Sequence, residues 1–136
     1  MNTLIGKEYK FEAGHRLWLD TYTELENAEV FGKCVNPHGH SYTFVVEIGG
    51  PINDGMVMNY YAIDALVDPI ADYLDHEVLN ELPEFEGVLT TAENIAGMIF
   101  KTVRDNLHAS TAQLPTEYLN SVTVRETVKT FARVEA

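Results

Sequence analysis

The chain has 136 residues, 46% hydrophobic and 22% charged, which suits one globular domain spanning 1–136 and excludes a disordered or fibrous chain. Nine Lys and Arg against 21 Asp and Glu give a net charge of −12, so no basic surface is available for a phosphate backbone and nucleic acid is not an expected partner. No window approaches the roughly 18 consecutive apolar residues of a membrane helix, and Met1 to Lys7 lacks a basic-then-apolar leader, so no membrane association and a cytoplasmic location are expected.

From Lys7 to His15, every second residue (Lys7, Tyr9, Phe11, Ala13, His15) forms a partly apolar face, the pattern of a strand ending near His15. Residues 20 to 33 are polar and aperiodic and predict a long loop. The even positions His38, His40, Tyr42, Phe44, Val46 and Ile48 share one face of a second strand, which Gly49-Gly50-Pro51 ends. Ile63, Leu66, Val67, Ile70, Ala71 and Leu74 recur at helical spacing, predicting a helix over 60–74 that Pro69 should kink or shorten. A second helix starts at Thr90-Thr91-Ala92-Glu93-Asn94, with a threonine cap and Glu93 at the positive end, and buries Ile95, Ala96, Ile99, Val103 and Leu107. Val122, Val124 and Glu126 face one side of a third strand, and 127–134 returns as a fourth. The expected order is ββααββ, an α+β fold.

His38-Gly39-His40 sets two imidazoles on one side of a strand, their backbones about 6.5 to 7 Å apart. His15 becomes a third candidate ligand if the first two strands pair antiparallel. Three histidines and an exchangeable position suit Zn²⁺, which polarises a bound oxygen, whereas each histidine alone is equally well a satisfied polar group. His108, in the last turn of the second helix, complements the helix dipole. The single cysteine, Cys34, cannot form an internal disulfide and is either a small buried hydrophobe or a thiolate tuned by Lys33 and a nearby cation. Asp75-His76 offers a carboxylate that can fix an imidazole tautomer, although chain neighbours need not bond to each other. Glu126 shares a face with Val122 and Val124, so its carboxylate needs donors if it points inward, which a ligand with two parallel N–H groups would supply, whereas a strand-end glutamate exposed to water needs none.

These motifs occur in the order Phe11-Glu-Ala-Gly-His15-Arg-Leu, Phe31-Gly-Lys-Cys34-Val-Asn-Pro-His38-Gly-His40-Ser-Tyr, Gly55-Met-Val-Met58, Leu74-Asp-His76, Thr91-Ala-Glu-Asn94 and Val124-Arg-Glu126-Thr127. The set resembles the 6-pyruvoyl-tetrahydropterin synthase / 6-carboxytetrahydropterin synthase family through nearly the whole chain. The resemblance implies a tunnelling fold: a four-stranded antiparallel sheet with two helices on one face, subunit sheets joined into a trimeric barrel or stacked hexamer, and active sites at subunit interfaces. It implies His15, His38 and His40 as zinc ligands, Cys34 as the proton-transferring thiolate with Asp75 and His76 as its relay, and Glu126 as the pterin anchor. Thr91 and Glu93 would help to hold the pterin. The implied substrate is 7,8-dihydroneopterin triphosphate, whose charge the −12 chain opposes at long range, leaving Zn²⁺, Arg16 and Lys33 as the local cations.

The family branches at the product. Phe31-Gly-Lys-Cys34 with Asn36-Pro37, and Gly55-Met-Val-Met58-Asn59, resemble the pyruvoyl branch of tetrahydrobiopterin-type pathways. Three residues between Cys34 and His38 resemble the queuosine-pathway branch, which releases acetaldehyde and gives 6-carboxytetrahydropterin. Because spacing positions the thiolate, the expectation is the carboxy product, with the pyruvoyl product as the alternative. A folate branch usually has glutamate in place of Cys34. A non-catalytic pterin- or metal-binding member would be expected to have lost some of the seven residues His15, Cys34, His38, His40, Asp75, His76 and Glu126.

Overall fold

The computed structural model of the protein describes residues 2–110 and 114–136. Strands β1 (Thr3–His15) and β2 (His38–Gly50) pair antiparallel from Thr3↔Gly50 to His15↔His38. β4 (Leu119–Thr127) joins the other side of β2, and β5 (Thr130–Glu135) returns antiparallel along β4. A two-residue strand, β3 (Glu77–Val78), lies parallel to β1 at Ala13–Gly14, so the sheet order is β3-β1-β2-β4-β5. The expected four-stranded antiparallel sheet is thus present, with a fifth short parallel strand at its edge. Two residues are too few for an alternation signal.

Period-two alternation builds the core. Phe11, Tyr42, Phe44, Val46, Ile48, Val122 and Val124 are all buried on one sheet face. The helix α2 (Tyr60–Leu74) packs on β1 and α3 (Ala92–Ala109) on β4 and β5. Each buries the apolar stripe expected of it, Ile63 to Leu74 in α2 and Ile95 to Leu107 in α3. Pro69 does not shorten α2, which runs on to Leu74. Pro69 and Ala65, whose carbonyl loses its usual amide partner, are both exposed, so water can take that carbonyl's hydrogen bond. Thr91 caps α3 by accepting from the Asn94 amide at 3.2 Å, and His108 lies in its last turn.

The loop expected over 20–33 contains a helix, α1 (Glu24–Phe31), followed by a 3₁₀ turn, Gly32–Val35. A reciprocal capping box starts α1: Thr23 Oγ1 accepts from the Glu26 amide and Glu26 Oε1 from the Thr23 amide. That Thr-x-x-Glu signature is visible in the sequence. The hydrophobic period is not, because Leu25 and Val30 are exposed and the one buried residue of α1 is Asn27. Asn27 accepts from the Leu19 amide at 2.8 Å and donates to the Leu19 and Thr23 carbonyls at 3.0 Å each. Side-chain hydrogen bonds therefore fold this segment where apolar burial does not. Gly32, at φ 58°, ends α1 in the left-handed region.

Candidate functional site

The antiparallel register sets His15 directly opposite His38, and His40 opposite Ala13 two residues further along. All three side chains lie on the core face, at the end of the β1–β2 pair. Their ring centroids stand 4.6 Å (His15–His38), 5.1 Å (His15–His40) and 5.0 Å (His38–His40) apart. One ring nitrogen from each lies within 4.8 Å of the other two, and among the described residues this is the one group of three or more His, Cys, Asp or Glu that meets that distance. Gly39 eases the close strand pairing, since a Cβ there would stand a tight 3.3 Å from the Ala13 carbonyl oxygen.

Two of the imidazoles have fixed tautomers. His15 Nδ1–H donates to the Thr90 carbonyl at 2.8 Å, with Thr90 Oγ1 at 3.1 Å. Thr90 is itself buried and donates from Oγ1 to the Arg16 carbonyl at 3.1 Å. His38 Nδ1–H donates to the Asn36 carbonyl at 2.7 Å. In both residues Nε2 is left with the free lone pair. His15 Nε2 is buried and has no hydrogen-bond partner among the described residues, a costly state unless something binds it. Burial pushes His15 down to about 4, the neighbouring His38 and His40 push the same way, and the Thr90 carbonyl opposes them. His15 is therefore neutral near pH 7, and the 3.8 Å approach of Glu126 Oε1 to its Nε2 is not an ion pair at that pH. A buried, unpartnered, neutral nitrogen that converges with two more imidazoles fits a divalent transition metal such as Zn²⁺.

Glu126 faces this cluster from β4 with a side chain 25% exposed. On β2, Tyr42 has its ring 5.3 Å from that of His40 and 6.0 Å from that of His15, and its hydroxyl is buried without a partner. Burial, and then the Glu126 carboxylate, raise its phenol pKa far above the usual range. Sequence reasoning gave neither Thr90 nor Tyr42 a role, although the placement of Tyr42 two residues after His40 was a signal for it.

The remaining expected residues stand around the cluster without joining it. Cys34 is exposed on the 3₁₀ turn, and its carbonyl accepts from the Leu17 amide at 2.8 Å, which ties the turn to the chain just after His15. Asp75 and His76 do bond to each other: His76 Nδ1–H donates to Asp75 Oδ2 at 2.7 Å. Both are fastened to one residue of β1, since Asp75 Oδ1 accepts from the Glu12 amide at 2.8 Å and the His76 amide donates to the Glu12 carbonyl. The Glu12 amide, and then His76, hold the Asp75 carboxyl below its usual range. His76 takes φ 59°, a conformation unusual for a non-glycine residue and common at functional sites. Its side chain is 79% exposed, and it lines an open groove of about 570 Å³ together with His38, His40, Ser41 and Glu12. The Arg16 guanidinium lies 4.1 Å from the Trp18 ring centre, in a neighbouring cavity of about 580 Å³ that is also lined by Asn80 and Leu82. Lys33 and Glu93 are exposed, and Thr91 is half-buried at its cap position.

The profile described as 6-pyruvoyl tetrahydropterin synthase matches residues 4–136. The chain belongs to that family. Similar to this member is the Homo sapiens protein named 6-pyruvoyl tetrahydrobiopterin synthase, 38% identical over 133 residues, with 90% of this chain and 84% of the relative covered. A protein of Aquifex aeolicus (strain VF5) named 6-carboxy-5,6,7,8-tetrahydropterin synthase is 31% identical over 103 residues, covering 69% of this chain and 64% of the relative. The solved structure of Caenorhabditis elegans 6-pyruvoyl tetrahydropterin synthase superposes with a TM-score of 0.91 at 27% identity, covering 100% of this chain and 96% of that one. The fold is that of this pterin synthase family. No helix among the described residues is long and apolar enough to cross a membrane.

Proposed function

We propose that this family member is a metal-dependent lyase that eliminates triphosphate from 7,8-dihydroneopterin triphosphate and forms 6-pyruvoyl-tetrahydropterin. The observation that carries the reading is the convergence of three imidazoles, one with a buried and unpartnered Nε2, beside the Glu126 carboxylate. His15, His38 and His40 would hold Zn²⁺, which when bound supplies a Lewis acid for the hydroxyl oxygens of the substrate side chain.

The chain's own groups divide the remaining work. Glu126 accepts the parallel N–H pair of the pterin, which fixes the ring. Asp75 holds the proton of His76 on Nδ1, so Nε2 is the position that gives and takes protons. The exposed Cys34 thiol is the second proton carrier. Thr91 and Glu93 at the start of α3 contribute to the ring pocket, while Arg16 and Lys33 offset the triphosphate charge. Assembly into a trimer or hexamer through sheet edges fits this arrangement, because among the described residues β5 has an unpaired edge and β3 covers only two residues of β1. Sedimentation of a monomer with full activity would remove that part of the reading.

The relative named for the pyruvoyl product is more similar and covers more of the chain than the one named for the carboxy product, which favours the pyruvoyl alternative over the carboxy product expected from spacing. The three-residue interval between Cys34 and His38 keeps the second reading, cleavage to 6-carboxytetrahydropterin and acetaldehyde, specific enough to test. Incubation of the zinc-loaded protein with 7,8-dihydroneopterin triphosphate, followed by chromatography of the pterins and an acetaldehyde assay, separates the two. A pyruvoyl product without acetaldehyde is expected. Stoichiometric acetaldehyde transfers the protein to the carboxy branch, and no consumption of substrate rejects both.

A further inference from the structure

The buried hydroxyl of Tyr42 has no role in the chemistry above. Tyr42 has 0% relative exposure and its oxygen has no hydrogen-bond partner among the described residues. Leaving such a group unpaired in the core is unfavourable, and a phenylalanine would fill nearly the same space without that penalty. The side chain is otherwise held firmly, with Phe11 stacked on one side at 4.7 Å between ring centres and His40 edge-on at 5.3 Å. An unpaired hydroxyl on a fixed ring calls for an acceptor that arrives only in another state of the site.

The register identifies that acceptor. Phe44 pairs with Val124 and Thr43 with Arg125, the last pair of that ladder; continuing it sets Glu126 beside Tyr42, at the point where β4 shifts register against β5, and the Glu126 carboxylate is close enough to act on the Tyr42 phenol. In the free chain the Glu126 carboxylate approaches His15 Nε2 instead, at 3.8 Å. That nitrogen is the one offered to the metal. For a carboxylate displaced from it, the unpartnered Tyr42 O–H is an available donor.

We propose that Tyr42 is a positioning residue whose hydroxyl donates to the Glu126 carboxylate in the ligand-bound site, fixing one carboxylate oxygen while the pair of oxygens accepts the N–H groups of the ligand ring. The inference rests on the reading of Glu126 as the pterin anchor. The role of Tyr42 is to orient Glu126 without touching the ligand.

The test uses Tyr42→Phe, Glu126→Gln and the double variant, with neopterin as probe, a pterin that lacks the triphosphate. In metal-free protein, Tyr42→Phe is expected to melt at or about 3 °C above the wild type, because it removes an unsatisfied hydroxyl. In zinc-loaded protein, the same variant should bind neopterin about tenfold more weakly by fluorescence titration, since a hydrogen bond to a charged group is lost. In the Glu126→Gln background, Tyr42→Phe should change affinity by less than about twofold. Melting of the metal-free Tyr42→Phe protein several degrees below the wild type would show that the hydroxyl is already paired and overturn the inference. Unchanged neopterin affinity, or an undiminished tenfold loss in the Glu126→Gln background, would overturn it too. Failure of the wild-type protein to bind neopterin defeats the pterin reading itself, whereas wild-type binding with an unaffected Tyr42→Phe defeats the inference alone.

Discussion

Lowering the pH from 7 to 5 should destabilise the metal-free protein through His15 by an amount that the structure fixes. The ordinary value for a histidine is 6.5, and burial holds His15 at about 4. Well above pH 6.5 the imidazole is neutral in both folded and unfolded chains and its contribution to the pH dependence vanishes. Between 6.5 and 4 the unfolded chain takes up a proton that the folded chain refuses, so stability falls with pH and the loss levels off below 4. With those two values the penalty is about 0.2 kcal/mol at pH 7 and about 2 kcal/mol at pH 5, a net loss of about 2 kcal/mol. Urea unfolding of the metal-free wild type and of His15→Gln at pH 7, 6 and 5 isolates this contribution, because glutamine does not titrate and the other groups are common to both. At roughly 1 to 3 kcal/mol per molar urea, the wild-type midpoint should fall by about 1 M more than that of the variant. Parallel pH dependences for the two proteins would refute the argument that the buried Nε2 is kept neutral.

His38→Ala and His40→Ala should each lose most bound zinc while keeping the fold, read by metal analysis beside circular dichroism; one retained equivalent per chain in both would reject the ligand set. Cys34→Ala should keep zinc and the melting temperature, since the thiol is exposed, and lose about 10²- to 10⁴-fold in turnover. Near-normal turnover would transfer its role to His76. Glu126→Gln should weaken pterin binding before it slows turnover, because an amide offers one matching acceptor where a carboxylate offers two; unchanged affinity with lost turnover would reassign Glu126 to proton transfer.

The parts of the fold legible in the sequence are those that burial writes. The stripes of α2 and α3 and the alternation of β1 and β2 put apolar residues at the core positions they occupy, because a helix or strand with one buried face has no other way to repeat. What stayed illegible is stabilised by hydrogen bonds. α1 rests on the Thr23–Glu26 box and on Asn27, and β3 on two residues against Ala13 and Gly14. A capping motif is readable in principle, but without an apolar stripe behind it, it competes with every polar loop.

The same division runs through the site. The pairing of His15 with His38 follows from strand order and parity, so the three-imidazole cluster was accessible before any coordinates. Most partners that fix these side chains were not, because they are backbone groups. Thr90 reaches His15 across 75 positions of chain, and Glu12 fixes Asp75 from 63 positions away while its carbonyl holds the His76 amide. A carbonyl carries no residue signature, yet it decides which ring nitrogen holds the proton and which is free to bind. For His15 the buried orphaned Nε2 follows from the Thr90 bond. For His76 the Asp75 bond sets the tautomer, while the anchoring to Glu12 holds a residue at φ 59° that the chain would otherwise avoid. The chemistry-bearing side chains can thus be named from spacing, whereas the free ring nitrogen of His15 and of His38 is set by backbone carbonyls that only the fold brings to them.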